Sequence, residues 1–461
     1  MARVINQEAN YTADFGAIFR SSAIFYKPCG VKATISFSNY WKFKNSLDVG
    51  VVATFRTMDG ALVARRELKF EEGNVINIEV LEIEEGSVEI EAFSSKNLRI
   101  PYAAIMGIYE TENSVSMVHS YGRNHSLIEL EDDKAITEGR ESCWTLRPSP
   151  NLRNRSVFHN GHIALEKQIG LFTVTKSDGN EKTIEFQIPR LEPFQTFVFE
   201  AEEIFPNLKD YLDGDIGWAT VHFESRSGFT RLLVMWTDQI TNEVQVTHSN
   251  FDYSSHQTNL VESTKPAYMA LPSVKGEVPD VIVYPKFSRG VYCVNGDSEF
   301  SKGIVVKTKE SELAFTRKDG DLPSRIVTAA IPKPSDNVTL PFECSLGVVH
   351  EKRPPKRFHW FLVSSELPTT IHLTHYEKIY PSEGNIELVL RMYSAISKDV
   401  EEVLLSYDSL SLVPKEIALD SLFDISLLNG FGYLTIFSHY GGFWFYSSLQ
   451  KKNSLTLEHS F

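Results

Sequence analysis

Histidine is the residue type in this sequence whose placement first suggests chemistry. The stretch "FHNGH" contains His159 and His162, and "VQVTHSNFDYSSH" contains His248, Asp252 and His256. Imidazole nitrogens are suitable ligands for zinc or iron. The sequence therefore allows a metal site made of His248 and His256 with His159 and His162, whose bound water would act as base or nucleophile. The Asn-Gly pair in HNGH is also typical of a hairpin turn, and the chain has no HExxH motif.

A second histidine follows the first in two places, His125 after His119 and His256 after His248. These four residues and Asp252 form the predicted ligand-binding set, located where two repeat units meet. No residue is predicted to be catalytic, because the chain has no GxSxG, P-loop or GxGxxG motif after a strand. With 60 Asp and Glu residues, no carboxylate pair stands out as an acid and base for glycosidic chemistry.

The histidines recur in four blocks of similar pattern. Aligned on His119, His248, His375 and His459, the blocks 102–119, 231–248, 358–375 and 442–459 share apolar third to fifth positions, a polar turn and an alternating final strand. Each block is predicted to form a β-hairpin. Since strand side chains alternate between faces, each histidine shares a face with the two apolar residues before it. The structural alternative to metal binding is that each imidazole ends an inward-facing row and pins the strand through a hydrogen bond to the backbone.

Glycine turns upstream of the blocks extend the repeat. The sequence predicts an all-β fold of tandem antiparallel β-sandwich or barrel-like units built from a diverged internal repeat, with few short helices. Helical pattern is scarce, with short helical turns expected within 199–214 and 418–430. The expected boundaries are unit 1 at 20–121, a linker at 122–154, unit 2 at 155–251, a linker at 252–284, unit 3 at 285–376 and unit 4 at 377–461.

Composition restricts the classes of partner. The formal charge of −14 argues against binding to nucleic acid, and no segment is apolar for the ~20 residues that a membrane helix needs. The N-terminus lacks the basic and apolar pattern of a secretory signal, and the four cysteines are far apart, so reduced thiols in the cytoplasm are expected. The sequence favours a non-catalytic binding or scaffold protein for a glycan or another protein, with a homo-oligomer also expected. The alternative is a metal-dependent enzyme for a small sugar-like or polar substrate, using the histidine-rich site of unit 2.

Overall fold

The prediction of a nearly all-β fold with few short helices is confirmed. The computed structural model describes residues 19–94, 105–120, 124–125, 141–250, 266–284, 290–331, 344–346, 359–408 and 415–460, apart from 148, 150, 226–227, 230, 297, 302, 321, 323–325, 377, 381–383 and 453. Its helices are α1 (Tyr40–Asn45), α2 (Ala201–Ile204) and α3 (Leu208–Leu212), with 3-10 turns at Leu419–Ser421 and Ile425–Leu427. No helix among these residues is long and apolar enough to cross a bilayer.

The first two sandwiches contain β1 to β17. Sandwich 1 consists of β1 (Phe19–Lys27), β2 (Lys32–Ser38), β3 (Gly50–Thr57), β4 (Leu62–Leu68), β5 (Val75–Glu79), β6 (Gly86–Ser94), β7 (Ile105–Glu110), β8 (Val115–His119) and β9 (Asn124–His125). Sandwich 2 consists of β10 (Glu141–Leu146), β11 (Leu152–His159), β12 (Gln168–Lys176), β13 (Glu181–Ile188), β14 (Thr196–Glu200), β15 (Gly217–His222), β16 (Leu233–Asp238) and β17 (Val244–His248).

The last two sandwiches contain β18 to β33. Sandwich 3 consists of β18 (Ala267–Ala270), β19 (Asp280–Tyr284), β20 (Tyr292–Val294), β21 (Ser298–Phe300), β22 (Ile304–Val306), β23 (Glu312–Arg317), β24 (Val327–Ile331) and β25 (Cys344–Leu346). Sandwich 4 consists of β26 (His359–Ser364), β27 (Thr369–His375), β28 (Asn385–Tyr393), β29 (Val400–Asp408), β30 (Lys415–Ala418), β31 (Phe431–Phe437), β32 (Phe443–Lys451) and β33 (Ser454–His459).

All four sandwiches have the same strand order. Numbering the strands within each sandwich, the first sheet runs fourth, third, sixth, first, and the second sheet runs fifth, second, seventh, eighth, with β9 added only in sandwich 1. Every pairing between neighbouring strands is antiparallel within the described residues. The predicted tandem repeat is therefore confirmed at the level of topology.

Strand pairing differs from the expected unit boundaries in three places. The linker expected at 122–154 contains β9 and β10, and the linker expected at 252–284 contains β18 and β19. The block 358–375, expected in unit 3 as a hairpin, instead forms β26 and β27, which belong to different sheets of sandwich 4. The first and second strands of a sandwich are also consecutive and apolar, so in sequence they resemble the seventh and eighth.

The four sandwiches pack in a closed ring. Apolar clusters join sandwich 1 to 2 through Leu233 and Val246, sandwich 2 to 3 through Trp218, sandwich 3 to 4 through Leu457, and sandwich 4 to 1 through Tyr433. The four cysteines form no disulfide with one another. Burial of apolar side chains between neighbours, worth about 25 cal/mol per Å² of surface removed from water, therefore holds the ring together.

The junction between sandwiches 1 and 2 also needs a glycine. Gly60, in the turn between β3 and β4, has φ of +87°, and a Cβ there would lie 2.6 Å from the carbonyl oxygen of Pro193. The neighbouring backbone also contributes, since the N–H of Thr196 donates to the carbonyl oxygen of Met58 at 2.9 Å. The turn between β3 and β4 thus serves packing between sandwiches as well as connecting its two strands.

Candidate functional site

The eighth strands of sandwiches 1, 2 and 4 meet at the centre of the ring. Each is an edge strand of its second sheet. On the open edge of β17, the N–H groups of Val244 and Val246 donate to the hydroxyls of Ser114 and Ser116 at 3.2 and 2.7 Å. Side-chain oxygens of one sandwich therefore satisfy the exposed strand edge of the next, which a buried backbone requires.

Hydrogen bonds of the same kind, from backbone N–H groups to side-chain hydroxyls, join β8 to β33. The N–H of Val115 donates to Ser454 Oγ at 3.0 Å, and the N–H of Met117 donates to Thr456 Oγ1 at 3.1 Å. The next side chain on that face of β33 is Glu458, whose carboxylate receives the backbone N–H of His119. The alternating polar residues of these strands thus dock one sandwich on another and bring their C-terminal ends together.

Three of the four rows that end in histidine face neighbouring sandwiches, which corrects the prediction that they face inward. Val115 and Met117 pack against sandwich 4, Val244 and Val246 against sandwich 1, and Leu457 against sandwich 3. For these three rows, the unit's own core lies on the opposite face of its second sheet. The fourth row, Ile371 and Leu373 before His375, does face the core of its own sandwich 4. Alternation along a strand reports two faces but does not tell which one covers the unit's own core.

Five side chains from three sandwiches form what we call the central cluster: His119, Arg231, His248, Glu458 and His459. The ring of His119 lies between the other two imidazoles, with ring centroids 4.4 Å from His248 and 5.3 Å from His459. His119 and His248 are each 2% exposed. The cluster therefore lies at the junction of sandwiches 1, 2 and 4, and two of its three imidazoles are buried there.

Hydrogen bonds fix the tautomers of the imidazoles. Nη1 of Arg231 donates to Nε2 of His119 at 3.0 Å, so Nδ1 of a neutral His119 carries the proton, and it lies 3.2 Å from Oε2 of Glu458. In His248 and His459 the Nδ1 atoms lie 2.9 and 3.1 Å from the carbonyl oxygens of Ser249 and Ser460, and therefore donate. The expected backbone hydrogen bond of the strand-end histidine is confirmed for these two.

Burial shifts the ionisation of the cluster toward neutral forms. It holds the pKa of His248 well below its usual range, and the nearby Arg231 guanidinium and the other two imidazoles act in the same direction. Burial raises the pKa of Glu458, while His459, the backbone N–H groups and Arg231 oppose that rise. Burial therefore favours the uncharged form of His248 beside one guanidinium and one carboxyl group.

Three of these residues could approach a cation. Ligand atoms of His119, Glu458 and His459 lie within 4.8 Å of one another, and Nε2 of His459 is 3.6 Å from Oε1 of Glu458. Ligands of tetrahedral zinc are about 3.3 Å apart, as follows from metal–nitrogen distances of about 2.0 Å. A cation at Nδ1 of His119, however, needs a lone pair where Arg231 enforces a proton, and it would lie close to the guanidinium. The side-chain arrangement is therefore better suited to shared protons than to a metal ion.

The histidines predicted from sequence are only partly brought together. His119 and His248 meet in the central cluster, whereas the described backbone of His125 pairs with Arg20 on β1. His159 is on β11, separated from β17 by β16, which places these two strands about 10 Å apart. His162 is exposed in the turn after β11. Asp252 and His256 lie outside the described residues.

His159 has a structural environment of its own. Its Nδ1 lies 2.9 Å from Oγ1 of Thr196, the residue opposite it on β14. Burial lowers the pKa of His159 to about 3. This imidazole is therefore neutral at every pH at which the protein is ordinarily handled.

Sequence reasoning missed Arg231, Glu458 and a better fourth copy of the motif. The strand order makes β25 the eighth strand of sandwich 3, and its last residue opens "LGVVH" at 346–350. This stretch matches "VSMVH", "VQVTH" and "LTLEH" in the spacing of its apolar residues before histidine. His350 itself lies outside the described residues. A gapless comparison of the five residues that end each block could have found the stretch 346–350, ending in His350, in place of the stretch ending in His375.

His375 is instead at the end of a second strand. It is on β27 opposite Phe443, and its Nε2 lies 2.6 Å from the hydroxyl of Tyr440. Its ring also stacks on that tyrosine, with centroids 5.6 Å apart. His375 therefore packs within sandwich 4 and is separate from the central cluster.

No protein-family model matches the sequence, and no curated protein matches it.

Proposed function

We propose that this protein is a non-catalytic scaffold that binds another protein through what we call the rim of the ring. The rim comprises exposed aliphatic residues on or next to the third and fourth strands of the first sheets: Leu62, Val63, Ile169, Leu171, Val291, Val400 and Leu404. All four sandwiches contribute to it. The recurrence of exposed aliphatic residues on equivalent strands is the observation that carries the proposal, because apolar side chains held in water favour association.

The kind of exposed residue favours a protein over a glycan. All of the large hydrophobic residues exposed in the described parts of the chain are aliphatic, whereas Trp236 and Trp360 are 1% and 3% exposed. A sugar platform uses flat aromatic rings with one face in water. The aromatic residues of the repeated blocks instead fill the cores and the junctions between sandwiches.

The rim also offers backbone groups. In the sheets that the structure describes, the fourth strands β4, β13, β21 and β29 are edge strands, and β29 is nine residues long. An edge strand can accept an added strand from a partner. Charged residues such as Arg65 and Arg66 on β4 and Glu401 and Glu402 on β29 interrupt the aliphatic residues, which discourages indiscriminate pairing.

The central cluster supports a non-catalytic role. His119 and His248 are buried at a junction, the His459 side chain is 20% exposed there, and one nitrogen of each imidazole already serves a hydrogen bond within the chain. A substrate could reach His119 or His248 only if the sandwiches separated. The same groups that suggested chemistry in the sequence therefore have a role in assembly.

Charge substitutions at the rim test this proposal. Wild-type protein, a Leu62→Asp/Leu404→Asp variant and a Leu81→Asp control would be immobilised and exposed to native extract, with captured proteins quantified by mass spectrometry. Leu81 is 76% exposed and lies between β5 and β6, on none of the rim strands. We expect one stoichiometric partner on the wild type and the control that the double variant loses. Equal capture by all three folded proteins would overturn the proposal, as would glycan-array binding that the double variant keeps.

A further inference from the structure

We propose that the central cluster is an acid-operated latch: the buried imidazoles of His119 and His248 hold sandwiches 1 and 2 together, and their protonation opens that junction while the junction of sandwiches 1 and 4 stays closed. This inference concerns the assembly of the ring and does not depend on the rim binding a protein.

The cluster collects titratable groups from every strand that meets there. Among the described residues, β8 contributes His119, β17 contributes His248, β33 contributes Glu458 and His459, and Arg231 lies just before β16. Of the strands behind them, β7 places Met106 opposite His119, and β32 places Tyr446 opposite His459. The Tyr446 hydroxyl donates to the carbonyl oxygen of Ala270 and stays neutral. Three groups that gain positive charge in acid thus surround one permanent cation and one carboxyl group.

The two junctions differ in the sign of the groups that face each other. At the junction of sandwiches 1 and 2, His119 faces His248 and Arg231, both of which belong to sandwich 2. Protonation there sets cation against cation. At the junction of sandwiches 1 and 4, His119 faces Glu458, and His459 lies beside the same carboxylate. A proton on His119 or His459 is stabilised there for as long as Glu458 is ionised.

The contacts that close the junction of sandwiches 1 and 2 can report its opening. Ser114 and Ser116 accept the N–H groups of Val244 and Val246, and Ser116 also donates to the carbonyl oxygen of Val246 at 2.8 Å. These are neutral hydrogen bonds, which oppose charge repulsion weakly. If protonation separates β8 from β17, the amides of Val244 and Val246 lose protection from solvent exchange.

Opening is linked to proton uptake. A buried neutral imidazole that becomes accessible on opening takes up a proton whenever the pH is below its exposed pKa of about 6.5. For one such imidazole, the opening equilibrium then rises by about tenfold per pH unit below that value, or about 30-fold at pH 5.0. Histidine is the side chain whose charge changes in this range.

Hydrogen–deuterium exchange of the full chain tests the latch at pH 7.5 and pH 5.0, after correction for intrinsic exchange rates. We expect peptides covering β17 to lose protection about 30-fold at pH 5.0, and peptides covering β8, whose Val115 and Met117 amides bond to sandwich 4, to stay protected. His248→Asn, which keeps a donor for Ser249 but does not titrate, should remove most of the pH dependence. His375→Asn, outside the cluster, should retain it.

Three results would overturn the latch. Protection of β17 could be unchanged between the two pH values, β8 and β17 could lose protection together, or His248→Asn could keep the wild-type pH dependence. If the His248→Asn variant does not fold, the comparison of amide protection in β8 and β17 of the wild-type protein still tests the latch.

Discussion

Lowering the pH should destabilise sandwich 2 because of His159. Substituting His159 alone should isolate its contribution to the loss in free energy of unfolding. This imidazole is completely buried, its Nδ1 lies 2.9 Å from Thr196 Oγ1, and its Nε2 has no hydrogen-bond partner among the described residues. Burial lowers its pKa to about 3 in the folded protein, against about 6.5 in an unfolded chain. The unfolded state therefore binds a proton between these values and the native state does not.

The sign and size of the effect follow from that difference. Between about pH 6.5 and pH 3 the unfolded chain carries more protons, so the free energy of unfolding falls as the pH falls. For one imidazole with these two pKa values, the loss between pH 7.0 and pH 5.0 is about 2 kcal/mol. Burial lowers the pKa of His248 and His372 as well, so the wild-type protein as a whole loses more.

Urea unfolding at pH 7.0 and pH 5.0 of the wild type, His159→Asn and His162→Asn separates the contribution of His159. Asparagine keeps an N–H donor near Thr196 but does not titrate, and any cavity cost is the same at both pH values. The wild type and the exposed His162 control should lose about 2 kcal/mol more than His159→Asn over this interval. Equal losses in all three proteins would refute the assignment of His159 as a buried neutral group.

Three further predictions concern the junctions and the cluster. Ser116→Ala leaves the buried N–H of Val246 without its acceptor and should lower the free energy of unfolding by about 1–3 kcal/mol in urea titrations. Ser406→Ala at an exposed site should change it by about 0.5 kcal/mol or less. Equal effects of the two substitutions would contradict the docking role of the Ser116 hydroxyl. Gly303→Ala, where a Cβ would lie 2.2 Å from Trp218 at φ of +129°, should lower the melting temperature more than Gly276→Ala, which has φ of +78° and open space; a smaller effect at Gly303 would contradict the junction of sandwiches 2 and 3. Mass spectrometry of untagged protein should find no stoichiometric zinc or iron. If it finds one metal ion per chain, and Glu458→Gln releases that ion, the result would contradict the tautomer of His119 and favour the metal-dependent enzyme.

The sequence contained enough information for the fold class but not for the assignment of every strand. Alternation, polar turns and glycine turns correctly predicted a tandem β fold, because these patterns depend on local geometry. The block ending at His375 was assigned to the wrong position, since β26 and β27 carry the same apolar and polar pattern as a seventh and eighth strand. Pairing partners are distant in sequence, and no local pattern distinguishes a hairpin from two consecutive strands in opposite sheets.

For a related reason, local sequence pattern could not predict which residues form the central cluster. His119 and Arg231 are 112 residues apart, and His119 and Glu458 are further apart still. Repetition predicts that equivalent strand ends resemble one another, but it does not predict that they meet. Their meeting depends on ring closure, which is set by the apolar faces that pack between sandwiches.

Ring closure also explains why the repeated strand ends have diverged. A shared fold places a histidine at each end, and burial alone would favour neutral, apolar neighbours. Arg231 in sandwich 2 and Glu458 in sandwich 4 instead make the two sides of His119 electrostatically different. A proton on His119 is therefore unfavourable toward sandwich 2 and favourable toward sandwich 4. Two side chains, Arg231 and Glu458, in an otherwise repeated fold are enough to give the junctions of sandwich 1 with sandwiches 2 and 4 opposite responses to acid.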